Sequence, residues 1–300
     1  LDFEARSACR RFLEIQPGDR AGETLLAGIE TLSENHEEAA AIFRRLLEDD
    51  PDDHRLNVNL SGVLASLGDK EGALAAARKA MAIDDRSYET RVNFAKALLV
   101  SGEVEEAQRV LDAAEKLFPK EPRVLSALAE LAGAMGRRKE AIAYLRRVAE
   151  LEPDFRNLGR LGNELTGAGQ AREGVVYLER AGAERPLTAL LYALGVAYDG
   201  GGRGQDAIAT YERLLEIEPD HPEGNCILGL YYAREGRMDD AIRRGRSGHR
   251  LGSKRSDWAN PSHVWLSEIL ADHGANLFES DPKRAIALAL EATELNPGYP

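Results

Sequence analysis

Prolines recur along this chain at a nearly fixed interval, and that interval limits the possible folds more than any other feature. Pro17, Pro51, Pro119, Pro153, Pro186 and Pro219 are separated by 34, 68, 34, 33 and 33 residues, and Asp85 stands midway in the long step. Three further columns keep the same period. Ala5, Ala39, Ala73, Ala107, Ala141, Gly174, Ala207 and Ala241 form one, and Ala27, Ser61, Ala95, Ala129, Gly162, Gly195 and Gly229 a second. The third is a turn column of Gly68, Gly102, Gly136, Gly169, Gly202 and Gly236. Four columns sharing one period imply a chain of repeated units, each burying its apolar face against its neighbours. The usual prior of two globular cores for 300 residues gives way to one elongated core.

Each unit reads as two short amphipathic helices. Leu56, Leu60, Val63, Leu64 and Leu67 recur at helical spacing before Gly68-Asp69 ends the element. Ala73, Leu74, Ala77, Ala80, Met81 and Ile83 follow as a second helix, broken at Asp84-Asp85. The small columns let two helix backbones approach closely. Prolines fall just after each second helix, where the helix cannot continue.

These columns resemble the tetratricopeptide repeat (TPR) family, in bacterial style, through segments such as Leu191-Tyr192-Ala193-Leu194-Gly195-Val196-Ala197-Tyr198 and Leu214-Leu215-Glu216-Ile217-Glu218-Pro219. The resemblance implies an all-α fold: an α-α superhelix, a right-handed solenoid of stacked antiparallel helix pairs whose first helices line a concave groove. The expected units are 1–19 as a half repeat, then 20–53, 54–87, 88–121, 122–154, 155–187, 188–221 and 222–255, the last with a degenerate second half. An insertion and an atypical last repeat occupy 256–300. Because the columns begin and end mid-pattern, the chain is expected to be a piece of a longer protein or one that self-associates through uncapped ends.

Composition enters as a set of exclusions. With 39 basic and 51 acidic residues the chain carries a charge of −12, which repels phosphate backbones and argues against nucleic-acid binding. No apolar run approaches the ~20 residues of a membrane span, so no membrane partner is expected. Two cysteines, Cys9 and Cys226, are too few for a disulfide framework or a structural zinc site, and with no leader visible a cytoplasmic location is expected.

Catalytic chemistry finds no support in the residues. None of His36, His54, His221, His249, His263 and His273 sits in an H-E-x-x-H context; His263, Asp272 and His273 share a helix but face different ways. The glycines at 200, 201, 202 and 204 fall on the turn column and lack the Lys-Ser/Thr of a phosphate-binding loop. No catalytic residue, cofactor or metal is expected. One stretch breaks the pattern: from Ala241 to Ala285 the step is 44 residues, and 243–255 carries six basic residues, no acid, and Gly245, Gly248 and Gly252. It reads as an inserted, solvated connection, with Trp258 and Trp265 covering neighbouring core. The other reading is a loop that binds phosphate, nucleic acid or an acidic partner.

The resemblance also implies which residues face the groove: one stripe of each first helix, opposite the leucines. That stripe is polar in its middle and apolar towards each side, where Ala21, Leu25, Gly28 and Leu32 begin it. The candidate peptide-binding set is Arg55, Asn59, Asn93, Lys96, Arg123, Arg156, Arg160 and Asn163. Asparagine amides can bond an extended peptide backbone, and guanidinium groups grip carboxylates in a bidentate manner. Glu89 and Glu130 are the competing partners for those cations. One TPR subfamily clamps the C-terminal carboxylate of chaperone tails with lysines; Val58, Val92, Ser126 and Gly159 stand where those lysines would be, which argues against that role. The expected function is a non-catalytic scaffold that binds a protein or peptide segment in the concave groove. The alternative is the arm of a longer glycosyltransferase, sulfotransferase or methyltransferase.

Overall fold

A computed structural model describes residues 2–254 and 262–297. The described residues form seventeen α-helices. In the first unit, residues 1–153, these are α1 (Asp2–Ile15), α2 (Arg20–Leu32), α3 (His36–Asp49), α4 (His54–Ser66), α5 (Lys70–Ile83), α6 (Tyr88–Ser101), α7 (Val104–Leu117), α8 (Pro122–Ala134) and α9 (Arg138–Leu151). In the second, residues 154–300, they are α10 (Phe155–Gly167), α11 (Ala171–Glu184), α12 (Thr188–Gly200), α13 (Gly204–Ile217), α14 (Pro222–Arg234), α15 (Met238–Gly252), α16 (Ser262–Leu277) and α17 (Pro282–Leu295). Within each unit, each helix packs on the next.

The period acts through helix ends. The first helices are capped at positions that repeat with the same step. Asp19, Asp53, Ser87, Glu121, Asp154 and His221 each accept a bond from a backbone N–H in the first turn that follows. Each such bond satisfies a donor the helix leaves orphaned. At Asp53 burial would raise the carboxyl, but the Leu56 N–H and Arg20 outweigh it and hold it below its ordinary value. Its contribution to stability is therefore full at neutral pH and is lost as the pH falls below the ordinary carboxylate range.

Leu187 occupies the equivalent place before α12 with extended backbone and no cap bond, and it is exposed. Leu187→Asp is expected to raise stability by about 1 kcal/mol, the usual worth of an N-cap, read as a higher urea midpoint. No change, or a loss, would remove the cap column from the account.

The turn glycines all adopt positive φ, from 71° at Gly136 to 85° at Gly102. The first turn of the series breaks this rule, since Glu34 holds φ 61°. A side chain there costs about 1–2 kcal/mol relative to glycine.

The small columns sit at the helix crossings. Ala27, Ala39, Ala73, Ala95, Ala107 and Ala241 are fully buried. At the α10–α11 crossing a Cβ on Gly162 would lie 2.6 Å from Leu178 Cγ and 3.0 Å from the Gly174 carbonyl, so only glycine permits that approach. Between the crossings, leucines complete the core: Leu98, Leu111, Leu125 and Leu128 in the first unit, Leu161, Leu178, Leu214 and Leu228 in the second.

The stretch after Ala241 differs from expectation. Residues 243–252 belong to the helix α15 rather than to a solvated connection or loop. Gly245, Gly248 and Gly252 are buried, and two of these glycines, which local propensity counts as helix breakers, are where neighbours press on α15: α16 at Gly245 and α14 at Gly248. Trp265 packs against the buried cluster of Ile242, Leu266, Leu270 and Leu288, as expected of a residue covering core. Trp258 and Arg255 lie outside the described residues.

Candidate functional site

First helices within the first unit pack on one another as well as on second helices: α4 on α6, and α6 on α8. Their outward stripes therefore share one surface, the inner face of the unit. A cavity of about 480 Å³ opens in it, lined by Ser61, Gly62 and Ser66 of α4, Asn93 and Lys96 of α6, and Glu130 of α8.

The candidate residues fall into two groups. Arg55 and Asn59 on α4, Lys96 on α6 and Arg123 on α8 are exposed, and Asn93 on α6 is half-buried. Of these five, the structure brings only Asn93 and Lys96 to the cavity. Arg156, Arg160 and Asn163 are exposed on α10 in the second unit. The Arg156 guanidinium stands over the Phe155 ring at 5.5 Å from its centroid, and Arg185 covers the same ring at 5.2 Å. Stacking of this kind is worth about 0.5–1 kcal/mol at an exposed site, so Arg156 already has a partner within its own unit.

The polar groups of the inner face are oriented by local bonds. Asn93 Nδ2 donates to the Glu89 carbonyl at 2.9 Å, which leaves its Oδ1 turned toward α4, 4.0 Å from where a Gly62 Cβ would sit. Lys96 Nζ lies 3.9 Å from Glu130, a loose pair between exposed groups worth little in water. Glu89 accepts from Ser87 Oγ at 2.7 Å. Burial pushes its carboxyl up, but the Ser87 and Tyr88 bonds and the charge of Arg123 prevail and hold it below its ordinary range. So the two carboxylates do temper the cations, as the competing reading expects, without closing the cavity. Spacing alone does not reveal the other lining residues Ala65, Ala97, Leu99 and Val100, which the packing of α4 on α6 brings to the cavity.

Three arginines of the basic stretch are engaged within their own unit. Arg246 pairs in bidentate fashion with Glu291, Arg243 with Asp240, and Arg244 donates to Asn225 Oδ1 at 3.1 Å. Arg284 of α17 pairs with Asp239 of α15. The Arg244, Arg246 and Arg284 contacts tie α15 to α14 and α17, and the Arg243–Asp240 pair lies within α15 itself.

Asn225 and Asn57 are residues that sequence reasoning missed. Both are buried at matching positions, and each side chain bonds two carbonyls in the loop before its helix: Pro51 and Asp53 for Asn57, Pro219 and His221 for Asn225. Their shared repeat position was the available signal.

Other candidate chemistry stays dispersed. Among the described residues no three His, Cys, Asp or Glu side chains are grouped to hold a metal ion. His273 lies 3.8 Å from Asp239, and His263 is exposed elsewhere on α16. Gly200 ends α12, Gly204 begins α13, and Gly201 and Gly202 lie in the turn between them, with Gly202 at φ 77°. Cys9 and Cys226 are buried and not joined in a disulfide, and burial pushes the Cys9 thiol up. No helix among the described residues is long and apolar enough to cross a membrane.

Helix pairs joined by glycine turns, small residues at each crossing and an open inner face together define a protein-interaction scaffold of the repeat class. The TPR domain of cytochrome c-type biogenesis protein H matches over residues 33–155, and a tetratricopeptide repeat model matches over 160–222 and 192–245. The chain belongs to the tetratricopeptide repeat family. A comparison with curated protein sequences finds no match.

Among solved structures, it is similar to the C-terminal part of a TPR repeat-containing protein from Cytophaga hutchinsonii. The TM-score is 0.61 at 15% identity, covering 81% of this chain and 96% of that one. A thermophilic TPR protein of Thermus thermophilus gives 0.52 at 19% identity over 63% of this chain and 99% of that one. The APC/C hetero-tetramer Cut9-Hcn1 gives 0.55 at 18% identity, covering 98% of this chain and 57% of that one. The chain thus spans little more than half of the length of that last protein. Identities this low establish the fold, an all-α TPR solenoid.

Proposed function

We propose that this chain is a non-catalytic scaffold that holds a segment of another protein against the inner faces of its first helices. The observation that carries the reading is the open cavity of about 480 Å³ on the first-helix side of the first unit, walled by Asn93, Lys96 and Glu130. Its polar groups are oriented by their own helix but keep capacity for a ligand: Asn93 Oδ1 as an acceptor and Lys96 Nζ as a donor. Arg55, Asn59 and Arg123 extend the polar surface around it, and Arg156, Arg160 and Asn163 offer a second polar patch on α10.

The test is an unbiased pull-down with the intact protein and two triple variants, Arg55/Lys96/Arg123 to serine and Arg156/Arg160/Asn163 to serine. Loss of a specific partner by at least 10-fold in the first variant, with helicity unchanged by circular dichroism, is the expected result. Equal capture by all three proteins would refute inner-face binding through these residues.

A further inference from the structure

The inner face of α2 differs from those of the helices that follow. Where α4 presents Asn59 and Ser66, α2 presents Leu25 and Leu32, which are 59% and 79% exposed. Water meets two large apolar side chains here, with Gly28 between them at helical spacing. A Cβ on Gly28 would meet nothing within 4 Å, and one on Gly62, the matching residue of α4, would meet only Asn93 Oδ1 at 4.0 Å. Both glycines lie well inside 13-residue helices, where glycine costs about 1 kcal/mol relative to alanine. Neither makes the close helix contact that explains Gly162.

Beside this apolar corner stands one cation, Arg55, with no ion-pair partner among the described residues, next to an Arg20 that Asp50 and Asp53 already neutralise. Arg20 at the start of α2 pairs with Asp53, the cap of α4, at 2.8 Å, so the two helices begin side by side. Arg55 stands exposed in the first turn of α4. Around it the inner face carries Lys96 and Arg123 against Glu89 and Glu130, in a chain whose total charge is −12.

Given that the inner face binds a protein segment, we infer the chemistry of that segment: an extended stretch with a large apolar side chain close to a carboxylate. The apolar side chain covers Leu25 and Leu32 over the space above Gly28. The carboxylate pairs with Arg55, a charge-assisted contact favoured by the guanidinium fork. The segment's backbone passes Gly62, where the absence of a side chain lets an N–H reach Asn93 Oδ1.

Selection of a random 12-residue peptide library on the intact protein reads this chemistry directly. A parallel selection on Gly28→Phe/Gly62→Phe fills the space, and both substituted side chains point into the open, so the helices persist and circular dichroism confirms it. Enriched peptides are expected to carry Leu, Ile, Phe or Met within four residues of Asp or Glu. Their affinity should fall at least 10-fold on the double variant and on Arg55→Glu. Enrichment of basic peptides, or of peptides without a large apolar residue, that is still lost on the double variant would overturn the assigned chemistry and leave the inner-face reading standing. Enrichment indifferent to the double variant would overturn both. Absence of enrichment on either protein would overturn this inference, while the pull-down decides the inner-face reading separately.

Discussion

Replacing Tyr211 by alanine is expected to remove about 3–5 kcal/mol of stability, the range for deleting a buried aromatic ring. Tyr211 is among the largest fully buried side chains, 1% exposed in α13. Its ring fills the space left by Gly195 of α12, where a Cβ would lie 2.6 Å from the ring carbons Cε1 and Cζ. Tyr192 contributes a second ring at 6.3 Å between centroids, and burial pushes the Tyr211 hydroxyl well above its ordinary pKa. Glycine and tyrosine are thus a complementary pair across α12 and α13, and the pair makes a second, sharper forecast. Gly195→Ala should be destabilising in the native background and milder when combined with Tyr211→Ala, a coupling of about 0.5–3 kcal/mol for residues in contact. Urea unfolding of the two single variants and the double variant measures it; strict additivity would mean that the ring does not depend on the glycine.

Gly248→Ala gives the second large effect, and here even its sign is informative. Helix propensity alone predicts that alanine stabilises a helix interior by about 1 kcal/mol. The structure predicts the reverse. A Cβ at 248 would lie 2.5 Å from Cys226 Sγ, 2.8 Å from the Pro222 carbonyl oxygen and 2.9 Å from the Cys226 amide nitrogen. Two of those atoms are backbone, so α14 and α15 must move apart, and overpacking of this kind costs about 1–3 kcal/mol. Gly62→Ala, whose Cβ meets open space, should by the same logic gain stability. If Gly248→Ala raises the urea midpoint as Gly62→Ala does, the α14–α15 contact described above is wrong.

That contrast shows what was legible in the sequence. The 34-residue step locates helix pairs and turns because each turn glycine and each crossing residue answers to a purely local or nearest-neighbour demand: positive φ at Gly68, close approach at Ala73. Gly245 and Gly248 misled because a glycine's local cost is visible in any window of sequence, whereas Cys226 and Trp265, which require it, belong to other helices. The basic stretch reads from sequence as a solvated connection, with a binding loop as the alternative, because the pairing of Arg243 and Arg246 is not visible in any window. Their carboxylate partners, Asp240 three residues away and Glu291 in another helix, become partners only once α15 and α17 pack.

For the site, the stripe of first-helix residues comes from the family resemblance, and two of its members, Asn93 and Lys96, line the cavity. Which members of the stripe share a cavity depends on how α4, α6 and α8 pack on one another, and a column of residues does not encode that packing.

A photo-crosslinking residue placed at Gly62 on the inner face, compared with one at Ala75 on the exposed side of α5, tests the central claim most directly. In cells making the intact protein, the account predicts a discrete crosslinked partner from position 62 and none from position 75. Crosslinking of the same partner from position 75 with none from position 62 would place the interaction on the outer helices and contradict it.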